Sequence, residues 1–232
     1  MKYMGSKARL KKYIAPLMNT KDRLYYEPFA GGMNMIDGVK DAKIRFANDS
    51  NKYVVAAFKM LCSGWQPEII SRDKYLELKS LKGEDHLIGW AGIACSYSGK
   101  WFGGYAGVVD TKEGRRDYQG EAIKNAIKQV NNLKGVIFSS VSYDEMHIEN
   151  GSVVYCDPPY AGTTGYADKF DSERFFEWCR EQAEHSDIYV SEYAAPSDFQ
   201  CIAEFNLKSS LSANGVAGGS KDSIEKLFKV KS

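Results

Sequence analysis

The tetrapeptide Asp157-Pro158-Pro159-Tyr160 sets a carboxylate, two rigid imide bonds and an aromatic ring side by side. It follows the apolar run Val153-Val154-Tyr155-Cys156, which reads as a short buried strand. Neither proline offers a backbone N–H, so the strand must end at Asp157. A carboxylate at a strand end can accept hydrogen bonds from an amino group. The proline pair can aim a carbonyl at the same group, and Tyr160 can stack on a ring face. This is a clamp for a flat, amino-bearing ring. A plain proline turn with an incidental Asp and Tyr is the other reading of these residues alone.

Three further clusters bear on that choice. Phe29-Ala30-Gly31-Gly32 follows an expected strand and precedes an expected helix, where glycines let the backbone approach a ligand closely. It is neither G-x-G-x-x-G nor a phosphate-binding G-K-[ST] loop. Asp49 stands just past the next strand, where an acid can bind ribose hydroxyls, although it can equally cap the helix that follows. Tyr3 and Lys7 in Lys2-Tyr3-Met4-Gly5-Ser6-Lys7 supply a ring and a cation near a helix start. An exposed amino-terminal arm is the alternative there.

The elements that must position these residues alternate. Residues 6–18 are predicted helical, with Ser6 as cap and Pro16 as a bend. A strand at 24–26, a helix at 33–39, a strand at 42–47 and an amphipathic helix at 53–61 follow. This order marks a parallel α/β sheet. Residues 65–133 break it, with helices expected near 67–80, 84–95 and 119–133 and no evident strand, and we expect an insert there. Strands at 135–140, 152–156 and 187–191, a helix at 172–184 and two antiparallel edge strands in the tail complete the pattern. Residues 214–220 read as a loop between those strands.

Bulk properties narrow the class. The 232 residues carry a formal net charge of +1, so no large global field draws the chain to nucleic acid. Basic residues crowd positions 2–23, and the balance from Asp144 to Glu204 is acidic. The five cysteines form no C-x-x-C pair and are odd in number, which favours reduced thiols. The three histidines are far apart, so no zinc site is expected. No run is long and apolar enough to span a bilayer, and no signal peptide is evident, so a cytoplasmic, soluble protein is expected.

Taken together, the motifs resemble those of the Dam-type, class-α DNA adenine-N6 methyltransferases, particularly compact phage-borne members. Lys2 to Lys7 resembles the family's amino-terminal aromatic-x-Gly-Gly-Lys motif. Glu27-Pro28-Phe29-Ala30-Gly31-Gly32 resembles its cofactor loop, Asn48-Asp49 its ribose-binding turn, and Asp157 to Tyr160 matches its D-P-P-Y motif without change. The order matches as well, with the cofactor loop first, an insert in the middle and the catalytic motif late.

The resemblance implies a Rossmann-like α/β fold, with a mostly parallel sheet, an antiparallel edge and a mainly helical target-recognition insert at 65–133. The catalytic domain would comprise 1–64 and 134–232. It implies S-adenosyl-L-methionine as methyl donor. Tyr3 and Lys7 would hold its methionine end and Asp49 its ribose. Glu27, Phe29, Ala30, Gly31 and Gly32 would form the floor, Tyr143 would lie against its adenine, and Asp157 would border it. Three departures stand out: Met33 replaces the third glycine, Ser6 replaces a glycine, and Ser142-Tyr143 replaces the usual Asp-Phe.

On this reading Asp157 and the Pro158 carbonyl accept the two N–H bonds of adenine N6, with Pro159 stiffening the turn. Alignment and electrostatics then do the catalytic work. The base must leave the duplex, and stacking on Tyr160 offsets part of that cost. Lys100, Trp101, Phe102, Tyr105, Arg115 and Arg116 are the expected contacts to double-stranded DNA, and a structural aromatic loop is the alternative. A monomer or weak homodimer is expected. Methylation of cytosine N4 or of an RNA adenine, and a silent DNA-binding or decoy homologue, are the competing functions. A role in restriction–modification or in protection from restriction is left open.

Overall fold

The computed structural model describes residues 1–111, 114–159, 170–208 and 222–231. Tyr160, the 214–220 loop and Lys112, a further cation near Arg115 and Arg116 in the sequence, lie outside them. The chain forms two compact units, Met1–Met146 and His147–Ser232.

The first unit opens with single 3-10 turns around a short helix α1, Lys11–Ile14. The continuous helix expected over 6–18 is therefore broken. Pro16 lies in the second 3-10 turn, Ala15–Leu17, and brings no N–H to prolong α1. Ser6 does cap the first turn, its hydroxyl accepting from Ala8 N at 3.2 Å. The parallel strands β1 (Leu24–Glu27), β2 (Ile44–Asn48) and β5 (Val136–Ser139) are in register, Tyr26 opposite Phe46 and Ala47 opposite Phe138. Helix α2, Lys52–Cys62, starts where Asn51 Oδ1 accepts from Tyr53 N and Val54 N, and it buries Val54, Val55, Phe58 and Leu61. The helix expected over 33–39 is reduced to a 3-10 turn at Ile36–Gly38, because Gly31 and Met33 have positive φ of 46° and 56°.

Residues 65–133 hold α3 (Arg72–Lys79), α4 (Asp85–Ile93) and α5 (Tyr118–Val130), close to the expected helices. They also hold an antiparallel hairpin, β3 (Val108–Thr111) with β4 (Gly114–Asp117), which the periodicity did not reveal. Nearly every described residue of the hairpin is exposed, so neither face carries the alternation that signals a half-buried strand. Helix α4 is buried almost all round, with Trp90 fully enclosed against Trp65.

The second unit contains β6 (Val153–Cys156), α6 (Ser172–Ala183), β7 (Asp187–Glu192), β8 (Phe199–Lys208) and β9 (Asp222–Val230). β6 and β7 are parallel, and β9 runs antiparallel to both β7 and β8. α6 is capped by Asp171, whose Oδ1 accepts from Arg174 N at 3.0 Å. The sheet has seven strands in the order β5-β2-β1-β6-β7-β9-β8. The fold is thus α/β with a mostly parallel sheet and an antiparallel edge, as the resemblance implied. Among the described residues no helix is long and apolar enough to cross a membrane.

Candidate active site

Three loops leave the carboxyl ends of β1, β2 and β5, and Asn48 ties them together. This side chain is fully buried at the end of β2. Its Nδ2 donates to the carbonyls of Pro28 (3.1 Å) and Val141 (3.0 Å), while its Oδ1 accepts from Ser139 Oγ (2.9 Å) and Val141 N (3.0 Å). Ser140 Oγ donates to the Asp49 carbonyl at 2.8 Å, and Ala30 N donates to the Asn48 carbonyl at 2.8 Å. The carboxyl edge of these strands is therefore a cross-bonded platform. Sequence reasoning treated Asn48 only as part of a turn.

Asp49 sits on this platform. Its Oδ2 accepts from Gly31 N at 2.8 Å and its Oδ1 from Asn51 N at 2.9 Å. Burial pushes the carboxyl above the usual range, and the bonds from Asn51 and Gly31 pull it back in part. Each carboxylate oxygen has a second lone pair beyond its backbone bond, which suits a vicinal diol. The Gly31–Asp49 bond joins the glycine turn to the acid proposed for ribose.

The glycine turn is shaped around Tyr3. A Cβ on Gly31 would lie 2.6 Å from the Tyr3 ring, and one on Gly32 would lie 2.5 Å from Tyr3 Cβ. Sequence spacing gave no hint that the arm and the turn pack together. Lys7 is buried, and its Nζ donates to the Gly5 carbonyl at 3.2 Å. Glu27 is buried at the end of β1 and accepts from the Tyr25 hydroxyl at 2.6 Å. Ala30 and Met33 are buried beside the turn. The Phe29 and Tyr143 rings stand 5.3 Å apart and tilted by 33°, a paired aromatic wall next to the turn. Ser142 and Glu145 form a capping box that fixes the 3-10 turn carrying Tyr143.

Gln129, on α5, was not singled out by sequence. It is buried, and its Nε2 donates to the carbonyls of Gly32 and Met33, both at 2.9 Å. Its sequence gives no signal, since a glutamine among polar helical positions reads as exposed.

In the second unit, β6 is buried at every residue and Asp157 follows as the chain leaves it. Asp157 and Pro159 are half-buried and Pro158 is buried. The strand end is held by the Tyr155 hydroxyl, 2.7 Å from Ser191 Oγ on β7. Cys156 is fully buried, consistent with packing.

The residues expected at DNA fall into two groups. Lys100, Arg115 and Arg116 are exposed and Trp101 is half-buried. Phe102 is buried and packs on Tyr75 and Trp101. The Tyr105 hydroxyl donates to the Ile70 carbonyl at 2.8 Å, so it braces the segment. Arg116 forms a forked pair with Glu121, both contacts at 2.8 Å, which raises its pKa further. Arg116 and Lys2 each stand over the Tyr118 ring, 4.6 and 5.3 Å from its centroid.

Residues 3–87 match the family described as D12 class N6 adenine-specific DNA methyltransferase, which is the resemblance read from the motifs. The matched stretch includes Tyr3, Lys7, the glycine turn and Asp49. The family is S-adenosylmethionine-dependent, and the paired rings, the half-buried Asp49 carboxylate and the Cβ-free turn suit a nucleoside-bearing donor. Among solved structures, Thermoplasma acidophilum 1320 is similar at 11% identity and a TM-score of 0.46, covering 98% of this chain and 88% of that one. The N-methyltransferase NodS from Bradyrhizobium japonicum WM9 is similar at 6% and 0.44, covering 97% and 95%. An rRNA methylase from Streptococcus thermophilus is similar at 5% and 0.43, covering 96% and 94%. At these scores the likeness is loose, and the description of the fold rests on the strand order.

Proposed function

We propose that this chain transfers a methyl group from S-adenosylmethionine to the N6 amino group of adenine in double-stranded DNA. The observation that carries the reading is the D12 match over 3–87, which takes in the turn that Asp49 holds at Gly31. When bound, the cofactor supplies a methyl group already activated on a sulfonium.

The chain's own residues supply position. Asp49 accepts from the ribose hydroxyls, and Phe29 and Tyr143 hold the cofactor adenine. Tyr3 and Lys7 serve the methionine end. Asp157 and the Pro158 carbonyl accept from the target amino group, which turns its lone pair toward the methyl. Pro159 keeps that carbonyl fixed and Tyr160 stacks on the extruded base. Lys100, Arg115 and Arg116 contact phosphates. Residues 65–133 act as the target-recognition insert, and the protein works as a monomer or weak homodimer.

The test is methyl transfer from labelled S-adenosylmethionine to unmethylated duplex DNA, followed by nucleoside analysis. N6-methyladenine is the expected product. Label on cytosine N4, or on RNA alone, overturns the substrate assignment. Asp157→Ala should lower turnover by at least about 100-fold while cofactor still binds. Full activity in that variant removes the proposed role of Asp157.

A further inference from the structure

The glycine turn is gripped from the 65–133 segment at two places. The first is Gln129, whose Nε2 donates to Gly32 O and Met33 O, with Asn34 Oδ1 a third acceptor at 3.4 Å. Two carbonyls of the turn thus depend on one amide from α5. The second is the amino-terminal arm. Tyr3 fills the space where Gly31 and Gly32 lack side chains. The same arm is clasped by Gly99, at φ +67°, whose Cβ position is 2.7 Å from the Lys2 carbonyl and Tyr3 Cα. Met4 N donates to the Gly99 carbonyl at 3.2 Å.

Both grips lead to the exposed cationic surface. α5 begins at Tyr118, directly after the β3–β4 hairpin, and Arg116 and Lys2 each stand over the Tyr118 ring. From Tyr118 to Gln129 a helix rises about 16 Å as one hydrogen-bonded rod. Lys100 follows Gly99 in the loop that holds the arm. Movement of the hairpin or of this loop is therefore delivered to Gly32 by a rigid strut and to Gly31 by the Tyr3 ring.

We propose that Gln129 is a positioning residue for the cofactor turn, and that through it and the arm DNA and cofactor alter each other's affinity. The inference rests on the function proposed above. By linkage the effect is reciprocal: whatever factor DNA imposes on cofactor affinity, cofactor imposes on DNA.

The experiment measures the Kd of S-adenosylhomocysteine by calorimetry, with and without unmethylated double-stranded DNA. The wild type should show a Kd ratio of roughly 5–50, and Gln129→Met, which keeps the length and loses both donors, a ratio within about twofold of one. Gln129→Met should also raise the cofactor KM more than it lowers kcat, a split that general unfolding does not produce. A wild-type ratio of one, or an unchanged ratio in the variant, overturns the inference while leaving the proposed function standing. Failure of the wild type to bind S-adenosylhomocysteine at all overturns both. A second measurement needs no variant. Hydrogen exchange at 28–36 should slow when DNA alone is added, and exchange that ignores DNA overturns the coupling.

Discussion

Replacing Asn48 by Asp changes one atom and converts two attractive contacts into repulsive ones. The carboxylate keeps the bonds from Ser139 Oγ and Val141 N but faces the Pro28 and Val141 carbonyls, at 3.1 and 3.0 Å, with no hydrogen to give. A buried acceptor left without a donor costs about 1–3 kcal/mol. Pro28 is sealed and the Val141 side is partly open to water, so the net loss is about 2–4 kcal/mol. In a 232-residue chain this lowers Tm by roughly 5–15 °C. The sign with pH is fixed. The new carboxyl has a folded pKa raised above its unfolded value near 3.9, about that of any Asp. Its penalty is full above the folded value, shrinks through the window between the two, and below the unfolded value falls to the cost of the one carbonyl that a single O–H cannot serve. Calorimetric melting of wild type and Asn48→Asp across acid to neutral pH should show a Tm gap that narrows as pH falls. A gap below about 2 °C at neutral pH, the equivalent of less than 1 kcal/mol, refutes the assignment of Asn48 as the tie between the three loops.

Asp49 should set an acid limb on cofactor binding. Its raised pKa means that it takes up a proton at higher pH than a solvated carboxyl, and the protonated form loses acceptor capacity. The affinity for S-adenosylhomocysteine should therefore weaken as pH drops, and Asp49→Asn should flatten that limb; parallel profiles for the two proteins contradict this. Gly89→Ala should lose about 3 kcal/mol in urea unfolding, because its Cβ would lie 1.8 Å from the Tyr53 backbone oxygen. Gly92→Ala should lose less, since the obstructing Trp101 ring can turn, and equal losses speak against this ranking. Arg115→Ala should reduce the salt dependence of DNA affinity by about one unit of slope, read from binding isotherms at several salt concentrations, without changing cofactor affinity in the absence of DNA.

The parallel core was legible because its strands are short apolar runs closed by turn residues, as at Val153 to Cys156 before the two prolines. The acid after β2 and the glycine turn after β1 were legible because each sits at a chain-reversal position with a characteristic residue type. The cross-bonding was not. That Asn48 serves three loops, and that Gln129 reaches Gly32 from nearly a hundred positions away, depends on which elements fold together, and periodicity carries no such information. The hairpin escaped for the opposite reason: it is exposed on both faces, so burial imposed no pattern on its sequence. Lys100, Arg115 and Arg116 are exposed, whereas the aromatic residues between them are partly internal, Phe102 most of all.

Met33 occupies the third position of a motif that usually ends in glycine, and its φ of 56° is still the one glycine adopts readily. Its side chain is fully buried. Met33 thus holds a backbone shape that glycine adopts readily, with interior packing offsetting a strained dihedral. The neighbouring glycines have no such latitude: a Cβ on Gly31 would meet the Tyr3 ring, and one on Gly32 would meet Tyr3 Cβ and Asn34 Nδ2. A mutational library over this loop should accordingly tolerate apolar residues at 33, tolerate a change at 31 better when position 3 shrinks in the same clone, and reject changes at 32 even then, because any side chain at 3 keeps the Cβ that obstructs it.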